Sequence, residues 1–185
     1  MSQIKLVGLV GSLRKDSYNR RLLNLVKTLL PEGVTLEEID YTEVPLFNED
    51  HEWPTPASVS KVRDQILEAD GVLFITPEYN QSLSGVLKNV IDWVSRPANK
   101  DGLRVLAGKK AVVMGATMGI SGTITAQEHL RSILAFMGVN VLSQPRATIS
   151  SVHTKVNEDG SLNLDPITLG FVQQTVNAFV EYVKQ

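Results

Sequence analysis

Three short apolar runs constrain this chain more than any other feature: Ile4 to Val10, Gly71 to Thr76 and Lys110 to Gly115. Each is too short for a globular helix and ends at turn-forming or small residues, so each reads as a strand buried on both faces. Between and after them the apolar period changes. Leu22, Leu23, Val26, Leu29 and Leu30 recur at helical spacing within Ser17 to Leu30. The same spacing marks Val86, Leu87, Val90, Ile91 and Val94, and later Leu130, Ile133, Leu134 and Met137.

Val34 to Ile39 supplies a further strand, and a helix is expected from about Ala57 to Ala69. A last strand is split around Gln144-Pro145, and Ile167 to Val183 closes the chain as a helix. Strands buried on both faces that alternate with helices belong to parallel sheets covered on both sides. The expectation is an α/β fold: a doubly wound, five-stranded parallel sheet with helices on both faces. No repeat or linker interrupts it, so residues 1–185 read as one domain, with Val152 to Asp165 as a polar surface loop.

Charge and cysteine content narrow the function. A net charge of −2 provides no basic field for nucleic acid or an anionic membrane. With no cysteine, thiolate catalysis and cysteine-ligated metal centres are excluded. Met1-Ser2-Gln3 leads directly into a strand-like run, and no apolar stretch approaches membrane-spanning length, which predicts a cytoplasmic protein without membrane insertion.

Ligands of such sheets bind outside the carboxyl ends of the strands, so the loops after the first, third and fourth strands are the places to search. The first runs from Gly11-Ser12 through Arg14 to Ser17 and Asn19. Ser17 stands at a helix N-cap position, where free N–H groups and the helix dipole attract an anion. Arg14 can add a charge-assisted bond. An ordinary capped turn has the same composition, and this loop alone does not separate the two readings.

The second loop, Pro77-Glu78-Tyr79-Asn80-Gln81-Ser82, combines an aromatic with hydrogen-bonding groups, which suits a planar ring with a polar rim. A proline-initiated surface turn is the alternative. In the third loop, Thr117, Gly119 and Gly122 are small enough to let a ligand approach backbone, although glycines are also ordinary turn residues.

Several better-known motifs fail. Gly8-Leu9-Val10-Gly11 is not the dinucleotide fingerprint, Gly108-Lys109-Lys110 lacks the rest of a Walker sequence, and Gly-x-Ser-x-Gly is absent. His51, His129 and His153 are scattered without ligand spacing, so no metal is assigned, and His129 is expected to have a surface or structural role. Trp93 and Phe136 sit in helical apolar patterns as core or subunit-contact residues.

Taken in order, Gly11-Ser12-Leu13-Arg14-x-x-Ser17-x-Asn19, Pro77-Glu78-Tyr79-Asn80 and Gly85-Val86-Leu87-Lys88-Asn89-x-Ile91-Asp92-Trp93 resemble the bacterial NAD(P)H-dependent FMN reductase family, especially its quinone and chromate reductase subgroup. The resemblance spans about Ile4 to Val183. It implies a flavodoxin-like sheet and an FMN cofactor with NADPH or NADH as co-substrate. By motif position, Ser12, Arg14, Ser17 and Asn19 would bind the FMN phosphate. Pro77, Glu78, Tyr79 and Asn80 would contact the isoalloxazine and ribityl chain, with Thr117, Gly119 and Gly122 flanking from the other side. The chain departs from the family at Ser121, where relatives often have the first of two glycines, and at Thr123-Ile124, where some have an arginine nearby.

The function this implies is reduction of quinones, flavins or related small-molecule acceptors by a ping-pong mechanism, in a homodimer or homotetramer. With hydride chemistry assigned to FMN, no side chain is named as catalytic. A noncatalytic flavodoxin-type electron carrier is the alternative, but a carrier is expected to be strongly acidic, and −2 is a weak field. A sensing or scaffold protein that kept the fold and lost the chemistry is a third class.

Overall fold

The computed structural model describes residues 3–185, so Met1 and Ser2 lie outside the described residues. In chain order the elements are β1 (Ile4–Val10), α1 (Tyr18–Thr28), β2 (Val34–Glu38), α2 (Ala57–Glu68), β3 (Gly71–Ile75), α3 (Gly85–Ser95), β4 (Lys110–Ala116), α4 (Ile124–Phe136), β5 (Asn140–Val141), β6 (Ala147–Ile149) and α5 (Pro166–Lys184). The sheet runs β2-β1-β3-β4-β5, with β6 also paired to β4 and every pairing parallel. β5 meets Lys110 and Ala111 while β6 meets Met114 to Ala116, so both occupy the fifth position in turn. Pro145, which cannot donate to a ladder, falls in the gap where the sequence predicted a split strand. The order is flavodoxin-like.

Strand alternation builds two cores. Leu6 and Val10 of β1 face Leu22, Leu23 and Val26 of α1 and Val176 and Phe179 of α5. Val7 and Leu9 face the opposite side, with Val62 and Ile66 of α2, Val90 and Ile91 of α3, and Leu130 and Leu134 of α4. Gly8 sits within β1 because α1 lies so close: a Cβ there would stand 2.6 Å from a Leu23 methyl. Consequently α1 leaves β1 toward one face and α3 leaves β3 toward the other, and the crevice between their first turns opens at the carboxyl edge.

Two aromatic expectations resolve differently. Trp93 is fully buried, donates Nε1–H to Pro45 O at 2.8 Å, and meets Phe47 edge-on at 5.1 Å. Phe136 is 93% exposed, so it is not a core residue of this chain. The stretch from Val152 to Asp165 is more ordered than a plain loop. It contains a 3-10 turn at Val152–Thr154 and an antiparallel bridge between Val156 and Leu162. Among the described residues, no helix is long and apolar enough to cross a membrane.

Candidate active site

The β1–α1 loop ends at Ser17, the N-cap of α1, whose Oγ accepts from the Arg20 N–H at 3.4 Å. Ser12 and Ser17 are buried, and Ser12 Oγ accepts the Arg14 N–H at 3.4 Å. Both hydroxyl protons thus remain to be donated. The N–H groups of Leu13, Lys15 and Asp16 have no protein acceptor among the described residues, and the Arg14 guanidinium has no carboxylate partner among them. On the other side of the loop, Arg20 donates to the carbonyls of Ser12 and Arg14 and to Glu38.

Asn19 is more committed than its motif position suggests. Its Oδ1 accepts the Ala116 N–H at 2.9 Å and its Nδ2 donates to Ala116 O at 3.0 Å, clasping α1 to the end of β4. One amide hydrogen and the backbone N–H remain for a ligand.

The β3–α3 loop folds back on itself through reciprocal N–H to O bonds of 3.0 Å between Tyr79 and Ser82. Its two central residues, Asn80 (φ 51°) and Gln81 (φ 59°), both lie in the left-handed region, as tight hairpin turns of this kind require. Asparagine tolerates that conformation better than glutamine, and the paired Tyr79–Ser82 bonds on either side fix the turn that places the exposed Gln81 there. Two bonds tie the loop to α4: Glu78 Oε2 accepts the Ala126 N–H at 3.0 Å, and Ser82 Oγ lies 3.1 Å from His129 Nδ1. His129 therefore has the structural role expected of it.

After β4, the Thr117 N–H donates to Ile149 O, and Thr117 Oγ1 accepts the Gly119 N–H at 3.3 Å. Gly119 is open, but the missing Cβ of Gly122 has another purpose. At φ 69° a Cβ there would lie 2.3 Å from Thr148 Oγ1, so glycine makes room for β6 at this position.

A cleft of about 190 Å³ gathers Ser12, Arg14, Ser17, Asn19, Pro77, Tyr79 and Thr117, together with Tyr18, Ala116 and Met118. Three loops remote in sequence thus converge at the crevice between α1 and α3. Glu78, Asn80, Gly119 and Gly122 are not in its wall. Tyr18 and Met118 also line it, although a tyrosine at the first position of a helix and a loop methionine carry no local sign of binding in the sequence. A larger cleft of about 440 Å³ opens across the β1–α1 loop, lined by Leu13, Arg20, Glu38, Asp40, Tyr41 and Thr42 among others. Bonds from the Thr42 N–H and hydroxyl hold the Asp40 carboxyl below its usual range, and Arg20 is already paired with Glu38. Size favours the second cleft, but an anion entering it would meet carboxylates. The smaller cleft has the donors.

That donor set fits FMN. A phosphate needs several converging donors and a cation, which the loop from Ser12 to Ser17 supplies at a helix N-terminus. A ring system needs a partly apolar wall, which Pro77, Tyr79 and Met118 provide.

Residues 4–154 match the model of the NADPH-dependent FMN reductase family. An NAD(P)H-dependent FMN reductase of Pseudomonas aeruginosa is 42% identical over 98% of this chain and 96% of its own. A 2-hydroxy-1,4-benzoquinone reductase of a Burkholderia species is 33% identical, over 98% of this chain and 97% of the relative. Among solved structures, a flavoenzyme NAD(P)H:(acceptor) oxidoreductase of Paracoccus denitrificans superposes with a TM-score of 0.87 at 35% identity, covering 98% of this chain and 97% of that one. With the flavodoxin-like order of its sheet and the donor-lined crevice at the carboxyl edge, the chain belongs to the NADPH-dependent FMN reductase family.

Proposed function

We propose that this protein is an FMN-dependent oxidoreductase that takes reducing equivalents from NADPH or NADH and delivers them to quinones, flavins or related small acceptors. The observation that carries the reading is the convergence of unpartnered donors from the β1–α1 loop with the Pro77–Tyr79 wall in one cleft. Quinone reduction is favoured over an electron-carrier role by the names of the relatives and by the weak charge of the chain. The whole chain acts as a single flavodoxin-like domain, in the cytoplasm and without a nucleic-acid partner.

In this mechanism Arg14, the Ser12 and Ser17 hydroxyls and the free N–H groups of the loop hold the phosphate, with Asn19 contributing at the helix start. Pro77 and Tyr79 would form the ring-binding side, with Glu78 and Asn80 shaping that loop from outside the cleft wall, and Thr117 and Met118 would flank the other side, carried on the loop that Gly119 and Gly122 shape. Bound FMN supplies the two-electron chemistry between nicotinamide and acceptor. The chain itself would orient the partners. Glu78 Oε2 accepts the Ala126 N–H, which fixes the carboxylate against α4, and hydride transfer to the flavin requires no proton from it. One cleft serves both substrates in turn, which gives ping-pong kinetics.

A homodimer, or a homotetramer built from it, completes the rim. Met118 (57% exposed), Ile120 (91%) and Tyr79 (49%) leave an apolar margin beside the cleft that a second copy would cover. The test is steady-state NAD(P)H oxidation with a quinone by FMN-loaded protein, alongside sedimentation at micromolar concentration. Quinone-dependent turnover by a dimer or larger species is expected. A flavin-loaded protein that leaves NADPH and NADH untouched would overturn the enzyme reading, and a fully active monomer would overturn the assembly.

A further inference from the structure

We infer that Arg20 is a positioning residue: by holding two carbonyls of the β1–α1 loop, it aims that loop's N–H groups toward the FMN phosphate without touching the phosphate itself. The inference rests on the flavin reading above.

Arg20 Nη1 donates to Arg14 O at 2.6 Å and Nη2 to Ser12 O at 3.3 Å. Its Nε donates to Glu38 Oε1 at 2.8 Å, which anchors the guanidinium to the end of β2. A trans peptide sets the C=O of one residue antiparallel to the N–H of the next. The two carbonyl bonds therefore turn the N–H groups of Leu13 and Lys15 away from Arg20, and neither finds a protein acceptor among the described residues. No residue between Ser12 and Ser17 has a positive φ, so the loop is not shaped by glycine-like turns. Its peptide planes take their direction from the guanidinium fork.

The placement of Arg20 separates this role from direct binding. Its side chain lines the larger cleft with Glu38 and Asp40, and is absent from the wall that gathers Ser12, Arg14 and Ser17. The loop thus lies between Arg20 and the anion side. Pairing with the Glu38 carboxylate also offsets much of its charge. As the third residue of α1, Arg20 opposes the helix dipole, and the first turn holds no acidic residue to compensate. A local preference broken in this way is expected where function needs the side chain.

The test titrates apoprotein with FMN and, separately, with riboflavin, reading bound flavin by fluorescence and apoprotein stability by thermal unfolding. Arg20→Met is expected to weaken FMN by about tenfold or more, the lower end for losing a charged hydrogen-bonding group, and to leave riboflavin within about threefold. Arg20→Lys should restore less than half of that loss on a logarithmic scale, because an ammonium cannot span the fork. Glu38→Gln, which loosens the anchor, should also weaken FMN, and should add little once Arg20 is Met.

Each alternative has its own signature. If Arg20 were a phosphate ligand, Glu38→Gln would free positive charge and tighten FMN, which overturns the inference. If Arg20 served folding alone, FMN and riboflavin would weaken together as the apoprotein lost stability, which also overturns it. Should Arg20→Met fail to fold, the sign of the Glu38→Gln effect decides. Wild-type protein that binds neither flavin would overturn the flavin reading itself, and this inference with it.

Discussion

Glu78 Oε2 and the Ala126 N–H meet at 3.0 Å, so the β3–α3 loop supplies the N-terminal cap of α4 from 48 residues away. Thr123, at the N-cap position itself, makes no side-chain cap bond, and its Oγ1 accepts from Gln127 Nε2 at 3.0 Å instead. A carboxylate at a helix N-terminus satisfies an orphan donor and complements the dipole. Glu78→Ala should therefore lower stability by about 0.5–2 kcal/mol, the usual cost of losing a cap, read from urea unfolding. Glu78→Gln keeps an acceptor and should cost less. In flavin-loaded protein, Glu78→Gln should slow flavin reduction by less than about 100-fold, the lower edge of general acid–base contributions. A loss of about 1,000-fold with flavin still bound would show proton transfer at Glu78.

Arg14→Ala should weaken FMN by about 10- to 150-fold, the worth of one hydrogen bond to a charged group, with little change for riboflavin. Titration of apoprotein with each flavin checks this. Equal affinity of the unaltered protein for FMN and riboflavin would count against any phosphate site in the Ser12 to Asn19 loop.

The extent to which this site could be read from sequence follows the range of its interactions. Ser17 was legible as an N-cap because capping is local, and the split of the last strand was legible because proline carries its own constraint. The cap on α4 was not, since Glu78 and Ala126 meet only after β3 and β4 pair. Arg20 is invisible for a related reason: two of its partners are main-chain carbonyls, which every sequence provides, and the third, Glu38, lies 18 residues away in the chain. Phe136 follows the helical apolar pattern of α4 yet points outward, since periodicity locates a stripe without showing what covers its ends. The small size of Gly122 suggests space for a ligand, while the close neighbour of its missing Cβ is Thr148.

That distinction between glycines can be measured. Gly122→Ala combines a left-handed backbone (φ 69°) with a contact of 2.3 Å to Thr148 Oγ1. It should destabilise by about 1–3 kcal/mol or more. At Gly119, an added Cβ would meet only Thr117 side-chain atoms at 3.8 and 3.9 Å, so Gly119→Ala should be close to neutral. The comparison of urea midpoints is decisive, and equal losses at the two positions would contradict the assignment.

Asp165 caps α5, accepting from the Thr168 N–H at 2.9 Å and the Thr168 hydroxyl at 2.7 Å, and pairs with Lys155 at 3.1 Å. These bonds, the Thr168 N–H first, hold its carboxyl far below the ordinary range. A lowered folded pKa contributes stability that is present above the unfolded value and lost as pH falls through the folded one. The stability difference between wild type and Asp165→Asn should therefore be constant near neutrality and shrink as pH drops below about 4. A difference that grew on acidification would contradict the sign.

The most direct test of the flavin-enzyme account is an anaerobic single-turnover experiment on FMN-loaded protein. Mixing with NADPH, and separately with NADH, should bleach the oxidised-flavin absorbance with at least one of them. After the oxidised nicotinamide is removed, a quinone alone should restore that absorbance, since the two substrates use the cleft in turn. Flavin that stays oxidised with both nicotinamides, while remaining bound, would contradict the account.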